Sequence, residues 1–492
     1  MKSRIFAQLA LAFAVSSLTL FAQVSSQIVG TVVDPADAAV VGAPVTLTST
    51  ETGAVRNAQT DNLGTYRFTN VEPGTYSVTV KASGFKAFTQ GGVVVTANET
   101  HNVNKISLQL GNVTESISVT DEVAQVQLSS SEKSQTVDSK DLDSLTLKGR
   151  DLFGYIRLVP GVVDTANRDV TSHSSLSGMN INGGFTALNF QVDGITDMDT
   201  GSNTSVQYEP NLDSVQELKV LTSNYQAEFG HTSGGTITVV TKNGTQQFHG
   251  TASWNHRHEE FNSDTWANNH TIKNGAATPR VPYRYNVETY SIGGPIFVPK
   301  HWNRNRTKAF FFWSQERTGQ FVSGGTALQY TPTALERVGD FSQSLNNNGT
   351  LIKVLDPDNG NVQFANNMIP ASRLNPVGQE LLNFFPLPNF VATLPSQVNV
   401  DNYTEQGSAI HPRLNSVLRG DYYFSSKLSG YYRFINDADY MYVLYDGVQF
   451  SNDHGGILGD KGIAPIVHPN GGHSDAGTLT YTITPTLVNE TT

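Results

Sequence analysis

Apolar and polar positions alternate in short runs near the start of the chain. Tyr66 and Phe68 alternate with Thr65, Arg67 and Thr69, and Tyr76, Val78 and Val80 alternate with Ser77, Thr79 and Lys81. A period of two puts alternate side chains on opposite faces, which predicts half-buried strands over 28–34, 43–50, 64–71 and 74–82. Asn62-Leu63-Gly64 and Pro73-Gly74 supply turns between them. From about residue 113 the texture changes. Leu142, Leu145, Leu152, Ile156 and Leu158 recur at helical spacing between Ser139 and Leu158, and Pro160-Gly161 ends the run. Strands are expected over 188–195, 215–223 and 234–245.

From residue 246 onward aromatics alternate with polar residues in blocks separated by Asn-, Gly- and Pro-rich connections. Strand candidates are 249–254, 289–297, 307–316 and 477–484, and the clearest pair is 416–424 with 427–435, joined by Ser425-Ser426. In that pair Leu418, Gly420, Tyr422 and Phe424 share one face and Arg419, Asp421 and Tyr423 the other; Leu428, Gly430, Tyr432 and Phe434 likewise oppose Lys427, Ser429, Tyr431 and Arg433. A lipid-facing barrel hairpin with a polar lumen has this pattern, and so does the inner face of a soluble sandwich. Two connections read as helical: Thr333 with Glu336 forms a capping box, and Asn375-Pro376 caps a helix over 377–385.

The N-terminus carries a different signal. Lys2 and Arg4 precede an apolar stretch from Ile5 to Phe21 that ends in Ala22, which describes a cleaved export signal over 1–22. The 492 residues exceed what one hydrophobic core supports. With 15% charged and 38% hydrophobic residues, the chain is neither a disordered acidic tail nor a bundle of membrane helices. The absence of cysteine excludes disulfide scaffolds, thiolate zinc sites and thiol enzymes. A net charge of -11 argues against a nucleic-acid partner.

Catalytic chemistry is sparse. The run His256-Arg257-His258-Glu259-Glu260 lacks the helical His pair of a zinc site and reads as a charge cluster on a strand, with His256 and His258 on one side. Asp193, Asp197 and Asp199 do not have calcium-loop spacing and read as turn chemistry. No nucleophile elbow, phosphate loop or dinucleotide fingerprint occurs, so the expectation is no catalytic residue, no metal, no cofactor and no enzyme activity.

Several phrases resemble known families. G-T-Y-R-F at 64–68, P-G-T-Y-S-V-T-V at 73–80 and Gly84-Phe85 resemble the carboxypeptidase regulatory-like domain. That resemblance implies a transthyretin-like β-sandwich over 27–110, non-catalytic, serving as a spacer or a carbohydrate-binding-like fold. G-R-D-L at 149–152, L-V-P-G-V at 158–162, F-Q-V-D-G-I at 190–195, V-Q-E-L-K-V at 215–220, N-Y-Q-A-E-F-G at 224–230 and S-G-G-T-I-T-V-V-T-K-N-G-T at 233–245 are similar, in order and spacing, to the plug of TonB-dependent outer-membrane receptors. G-G-P-I-F-V-P at 293–299, N-R-N-R-T-K-A-F-F-F-W-S-Q-E at 303–316, P-T-A-L-E-R-V-G-D-F-S at 332–342 and I-P-A-S-R-L-N-P-V-G at 369–378 are similar to their Oar-like subgroup.

The resemblance implies a mainly β chain with a mixed α/β plug over 113–245 and the N-terminal part of an antiparallel transmembrane barrel over 246–492. The helical connections would then lie in extracellular loops. About six to eight strand candidates follow Gln246, against the order of 22 strands in a barrel that holds a plug, so an incomplete barrel is expected. Glu115, Ser116, Ile117, Ser118, Val119 and Thr120 resemble the box through which such receptors engage TonB, and an ordinary linker strand or the last strand of the sandwich has the same alternation. The implied activity is uptake of an iron chelate, cobalamin or oligosaccharide into the periplasm by plug rearrangement. Its implied partners are the TonB-ExbB-ExbD complex, outer-membrane lipid and the transported solute. The alternative is a structural or adhesive surface protein that binds carbohydrate through its sandwich.

Overall fold

The computed structural model describes residues 26–112, 116–120, 131–145, 147, 149–165, 176–184, 188–201, 204–226, 229–230, 232–264, 266, 272–273, 276–277, 280, 282–383, 385–391, 399, 401–443, 466–469, 471–484 and 487–492. The export signal expected over 1–22 and Glu115 lie outside the described residues.

The first unit is a two-sheet sandwich. Its strands are β1 (Ser26–Val33), β2 (Pro44–Ser49), β3 (Val55–Gln59), β4 (Thr65–Val71), β5 (Gly74–Val80), β6 (Ala87–Val95), β7 (Thr100–Asn102), β8 (Ile106–Ser107) and β9 (Ser116–Thr120). One sheet runs β4-β1-β7 with β8 on β1, and the other runs β3-β2-β5-β6-β9. The predicted strands β4 and β5 therefore belong to different sheets, and Pro73-Gly74 carries the chain across the core. Ile28, Val32, Val45, Leu47, Tyr66, Phe68, Val78 and Val80 fill the space between the sheets. Gly30 stands opposite Tyr66 in the β1–β4 register, and a Cβ there would fall 2.4 Å from the tyrosine hydroxyl oxygen, so the ring needs a glycine beneath it.

The middle unit has its own core. It comprises β10 (Lys133–Asp138), α1 (Ser139–Ser144), α2 (Leu152–Ile156), β11 (Val162–Asp164), β12 (Met179–Ile181), β13 (Asn189–Val192), β14 (Ile195–Thr196), β15 (Val215–Ser223) and β16 (Thr236–Thr241). A five-stranded mixed sheet runs β10-β15-β16-β13-β14. The helix expected from Ser139 to Leu158 is instead two short helices, because Gly149 and Arg150 adopt φ of 88° and 53° and reverse the chain between them. Asp138 and Asp151 cap the two N-termini by accepting the Asp141 and Phe153 amides. Phe153 packs edge-on to Phe190, ring centroids 5.4 Å apart, and both are fully buried.

The third unit is one long sheet. Its strands are β17 (His249–His258), β20 (Tyr283–Pro295), β21 (Ala309–Gln329), β24 (Tyr403–Tyr423), β25 (Leu428–Val443), β26 (Ile466–Pro469), β27 (Gly472–Thr484) and β28 (Leu487–Thr491). Two-residue ribbons, β18 (Ile272–Lys273) with β19 (Ala276–Ala277) and β22 (Leu355–Asp356) with β23 (Val362–Gln363), lie in the connections. Every pairing in the long sheet is antiparallel in the order β17-β20-β21-β24-β25-β27-β28, with β26 extending the β25 edge; β17 and β28 are not paired with each other.

The expected alternation holds and runs further than predicted. Arg413, Asn415, Val417, Arg419 and Asp421 of β24 are buried on the inner face, whereas Leu414 and Leu418 are exposed on the outer one, and Phe424 just past the strand is exposed as well. β21 and β24 have 21 residues each, roughly 70 Å at about 3.3 Å per residue. A bilayer needs only about 9–11 tilted residues. Both strands therefore extend well past a membrane, toward the end that carries the long connections. There, α3 (Ala334–Arg337) has both capping-box bonds of Thr333 and Glu336, and α4 (Pro376–Asn383) begins where Asn375 accepts the Val377 amide. At the opposite end Trp302 stacks on Tyr422 and Tyr422 meets Phe424, with centroids 6.2 and 4.5 Å apart. Phe248 packs against Phe297 and Phe311 at 6.3 and 6.4 Å in the same region, an aromatic belt of the kind that sits at a membrane interface.

Candidate functional site: the charged seam inside the sheet

The middle unit sits against the inner face of the long sheet. Val417 and Ile435 of the sheet belong to the same buried apolar cluster as Phe153, Phe190, Leu218 and Ile237. Around this apolar contact the two units exchange charges. Arg413 grips Asp437, Nε to Oδ1 at 2.6 Å and Nη2 to Oδ2 at 2.5 Å, and reaches Glu209 of the middle unit at 3.3 Å. The Glu209 amide donates to Asp437 Oδ2 at 3.1 Å, so one carboxylate serves both units. Next to it Asn415 accepts from the Asn211 amide at 3.1 Å and donates to the Glu209 carbonyl, while Ser314 Oγ donates to Asn211 Oδ1 at 2.7 Å.

A second cluster surrounds Asp193. Asp193-Gly194 is the two-residue hairpin turn between β13 and β14, with φ of 50° and 81°. The turn aims the carboxylate at Thr241, which donates its amide and its hydroxyl, both at 2.8 Å. Arg433 approaches the same carboxylate at 3.5 Å and Arg419 at 3.8 Å, and Arg419 donates to the Thr241 carbonyl at 3.1 Å. On the far side Arg150 pairs with Asp213 at 2.7 Å and with Glu316 at 3.7 Å, and Tyr285 donates to the Gly149 carbonyl at 2.8 Å. The positive φ of Gly149 and Arg150 that splits the expected helix thus presents this turn to β20 and β21.

Sequence reasoning placed Arg419, Asp421 and Arg433 on the polar face but missed Arg413, Asp437, Glu209, Asp213 and Glu316. Arg413 has the same parity as Arg419, so extending the alternation three residues upstream of 416 would have found it. Asp199 behaves as the expected turn residue, accepting the Gly201 amide at 3.0 Å. Asp193 closes a turn too, but its charge belongs to the seam. Burial pushes the Asp197 carboxyl up to about 8, opposed by the Gln207 and Tyr208 amides. His256 and His258 do share one side of β17, ring centroids 5.9 Å apart, on the outer face. Among the described residues no group of three or more His, Asp or Glu side chains is placed to hold a metal.

The segment Ser116–Thr120 is β9, paired in parallel with Ala87–Gly91 of β6 at the edge of the sandwich. Phe88 is the partner of Ile117, which is half-buried, while Ser116, Ser118 and Val119 are exposed. A chamber of about 360 Å³ lies where the three units meet, lined among others by Arg56, Glu72, Asn70, Asp193, Arg419 and Tyr431. Much of its polar lining is already satisfied: Arg56 donates to the Thr69 and Asn70 carbonyls, and the Asn70 side chain donates to Glu490.

The sandwich is tied to the middle unit through Glu217 and Lys219 of β15. Glu217 accepts the Ala97 amide. Burial pushes its carboxyl from 4.5 up to about 7, against the Ala97 hydrogen bond and the charge of Lys219, with Glu99 and Asp138 facing it as further acids. The fold therefore prefers the neutral acid. Its contribution to docking is complete below about pH 4.5 and is lost as pH rises through about 7, a change on the order of 3 kcal/mol. Thermal unfolding between pH 5 and 8 is expected to show the sandwich separating more easily at the higher pH in the native chain. A Glu217→Gln chain is expected to lose the part of this dependence seen in the separation of the sandwich, while the Asp197 contribution to the middle unit remains.

Comparison with known proteins places this geometry. Residues 240–492, more than half of the chain, match the outer membrane beta barrel domain family, and residues 27–109 match the carboxypeptidase regulatory-like domain. The TonB-dependent transporter Oar of Myxococcus xanthus is 30% identical over 254 residues, which is 48% of this chain and 22% of that protein. Among solved structures, the outer membrane transporter YddB of Escherichia coli aligns with 71% of this chain and 44% of its own, at 10% identity and a TM-score of 0.36. The siderophore receptor PirA of Pseudomonas aeruginosa aligns over the same shares at 12% identity and a TM-score of 0.26. The chain spans about a fifth of the curated relative's length and less than half of these solved structures. With an antiparallel sheet that is charged inside and aromatic outside, and a family match across more than half of its length, the chain belongs to the outer membrane beta barrel domain family and is an outer-membrane protein.

Proposed function

We propose that this chain works as a TonB-dependent receptor: residues 113–245 act as a plug, a bulky solute binds the extracellular end, and energised rearrangement of the plug admits it to the periplasm. The solute is an iron chelate, cobalamin or an oligosaccharide, and the coupling partner is TonB with ExbB and ExbD. The sandwich stands on the periplasmic side. The observation that carries this reading is the middle unit seated on the inner face of the sheet, in apolar contact at Val417 and Ile435 and ringed by ion pairs from Arg413, Arg419 and Arg433. A seam of ion pairs suits a unit that must leave. Once separated, both sides rehydrate, and water returns much of what the pairs supplied. An adhesive protein has no use for such a filling. The similarity to the Myxococcus xanthus transporter supports energised uptake.

Ser116–Thr120 is the proposed coupling segment, and Glu115 completes it at the N-terminal side. Among the described residues it is an edge strand paired on one side, which leaves its other row of main-chain groups for a partner strand. Ile117→Pro removes a donor and fixes the backbone, so uptake is expected to fall to the level of a cell lacking TonB while solute binding at the cell surface persists. Cells carrying the variant, supplied in turn with ferric siderophores, cobalamin and oligosaccharides, test this. Undiminished uptake would place the coupling segment elsewhere.

A further inference from the structure

Lys219 holds the sandwich and the middle unit together from a buried position. Its side chain, 2% exposed, forms an ion pair with the equally buried Glu132 at 3.0 Å and donates to the Ala97 and Asn98 carbonyls at 2.8 and 3.2 Å. Two of the ammonium's three donors go to these carbonyls, while Glu132 balances the charge at ion-pair distance. Glu217, two residues along the same face of β15, accepts the Ala97 amide, so both polar groups of the Ala97 backbone are held by side chains of the middle unit. Asn98, with φ of 54°, is the left-handed residue that lets the turn present its carbonyls this way.

Glu132 stands immediately before β10, the edge strand of the five-stranded sheet, and twelve positions after Thr120 along the chain. Tension entering at Ser116–Thr120 therefore reaches Glu132 before any other part of the middle unit's sheet.

We infer that Glu132, Lys219 and the Ala97–Asn98 turn form a release catch in which withdrawal of the Glu132 carboxylate frees the sandwich from the middle unit before the middle unit leaves the sheet. The inference rests on the coupling role proposed above for Ser116–Thr120. Its physical basis is the cost of a buried cation without a counter-charge. Once Glu132 is drawn away, Lys219 keeps only the Ala97 and Asn98 carbonyls and the Glu217 carboxyl, which burial holds toward its neutral form, so it recovers water by swinging out and takes its hydrogen bonds from Ala97 and Asn98 with it. The sandwich's other contacts, such as Asn70 and Arg56 to β27 and β28, are part-exposed and rehydrate readily. Glu132 and Lys219 are positioning residues: they touch no solute and act through the turn.

Hydrogen–deuterium exchange on the full chain in detergent reads the catch independently of transport. In Glu132→Gln and in Lys219→Met, the peptide carrying Ala97 and Asn98 is expected to exchange at least tenfold faster, with β2 and β5 peptides unchanged. Lys105→Met, which breaks the exposed pair with Asp37 at 2.8 Å, serves as a control and leaves the Ala97 peptide as it was. Unchanged exchange at Ala97 in both variants would overturn the inference, and so would equal acceleration across β2 and β5, which would mean general unfolding. The order of events is read by tweezers pulling between Ser118→Cys and Thr350→Cys handles. The first extension is expected to separate the sandwich and to need less force in Glu132→Gln. A first extension at the middle unit's contact with the long sheet would overturn the inference. Failure of uptake assays alongside these results would count against the transport reading alone.

Discussion

Replacing Arg413 by methionine is expected to loosen the middle unit from the sheet by about 3–5 kcal/mol, because it strands Asp437 and Glu209 as buried carboxylates without their cation. Both carboxylates are nearly inaccessible, at 1% and 4% exposure, so water cannot replace the guanidinium without the seam opening. The denaturant dependence of hydrogen exchange in β15 measures this. The comparison is Arg373→Met, which breaks the more exposed ion pairs with Asp356 and Asp358 in an outer connection and is expected to leave β15 unchanged.

A loss of comparable size is expected from Phe153→Ala, about 3–5 kcal/mol, for an apolar reason. Phe153 has no exposed surface, sits in a five-residue helix, and packs edge-on to Phe190 at the centre of the middle unit's core. A helix this short has little stability of its own, so its place depends on that ring. The cavity left behind is expected to melt the middle unit while the sandwich, whose core contains neither residue, keeps its own transition. Calorimetry on the full chain separates the two.

The strands that were legible in the sequence are those whose patterning was enforced by burial. β15 has the predicted bounds, 215–223, because most of its side chains are buried and the apolar run is nearly continuous. The alternation in β24 and β25 was legible because one face meets the middle unit and the other does not. Two of the missed strands are polar edges. Val55–Gln59 buries only Ala58, and Lys133–Asp138 buries only Val137. β6 was hidden by Gly91-Gly92, where its register with β5 shifts and Gly92 takes φ of 71°. Helical spacing held for Leu152 and Ile156, but Leu145 lies past the end of the first helix, and periodicity has no means to register the reversal at Gly149-Arg150.

The seam itself was half legible. Arg419 and Arg433 could be assigned to a polar face, but their partners lie far off in sequence. Asp193 read as a turn residue because Asp-Gly is a turn signal whether or not a cation waits opposite. No local pattern distinguishes a lumenal arginine that meets water from one that meets a carboxylate of another unit; only the tertiary fold makes that difference.

The central claim is that the middle unit must move against the sheet for a solute to pass, and the absence of native cysteine gives a clean way to test it. Asn211 and Asn415 face each other across the seam, Nδ2 to Oδ1 at 2.9 Å. In an Asn211→Cys, Asn415→Cys chain, oxidation is expected to lock the two units together, to abolish energised uptake while leaving surface binding intact, and to be reversed by a thiol reductant. Full uptake with the disulfide formed would contradict the account.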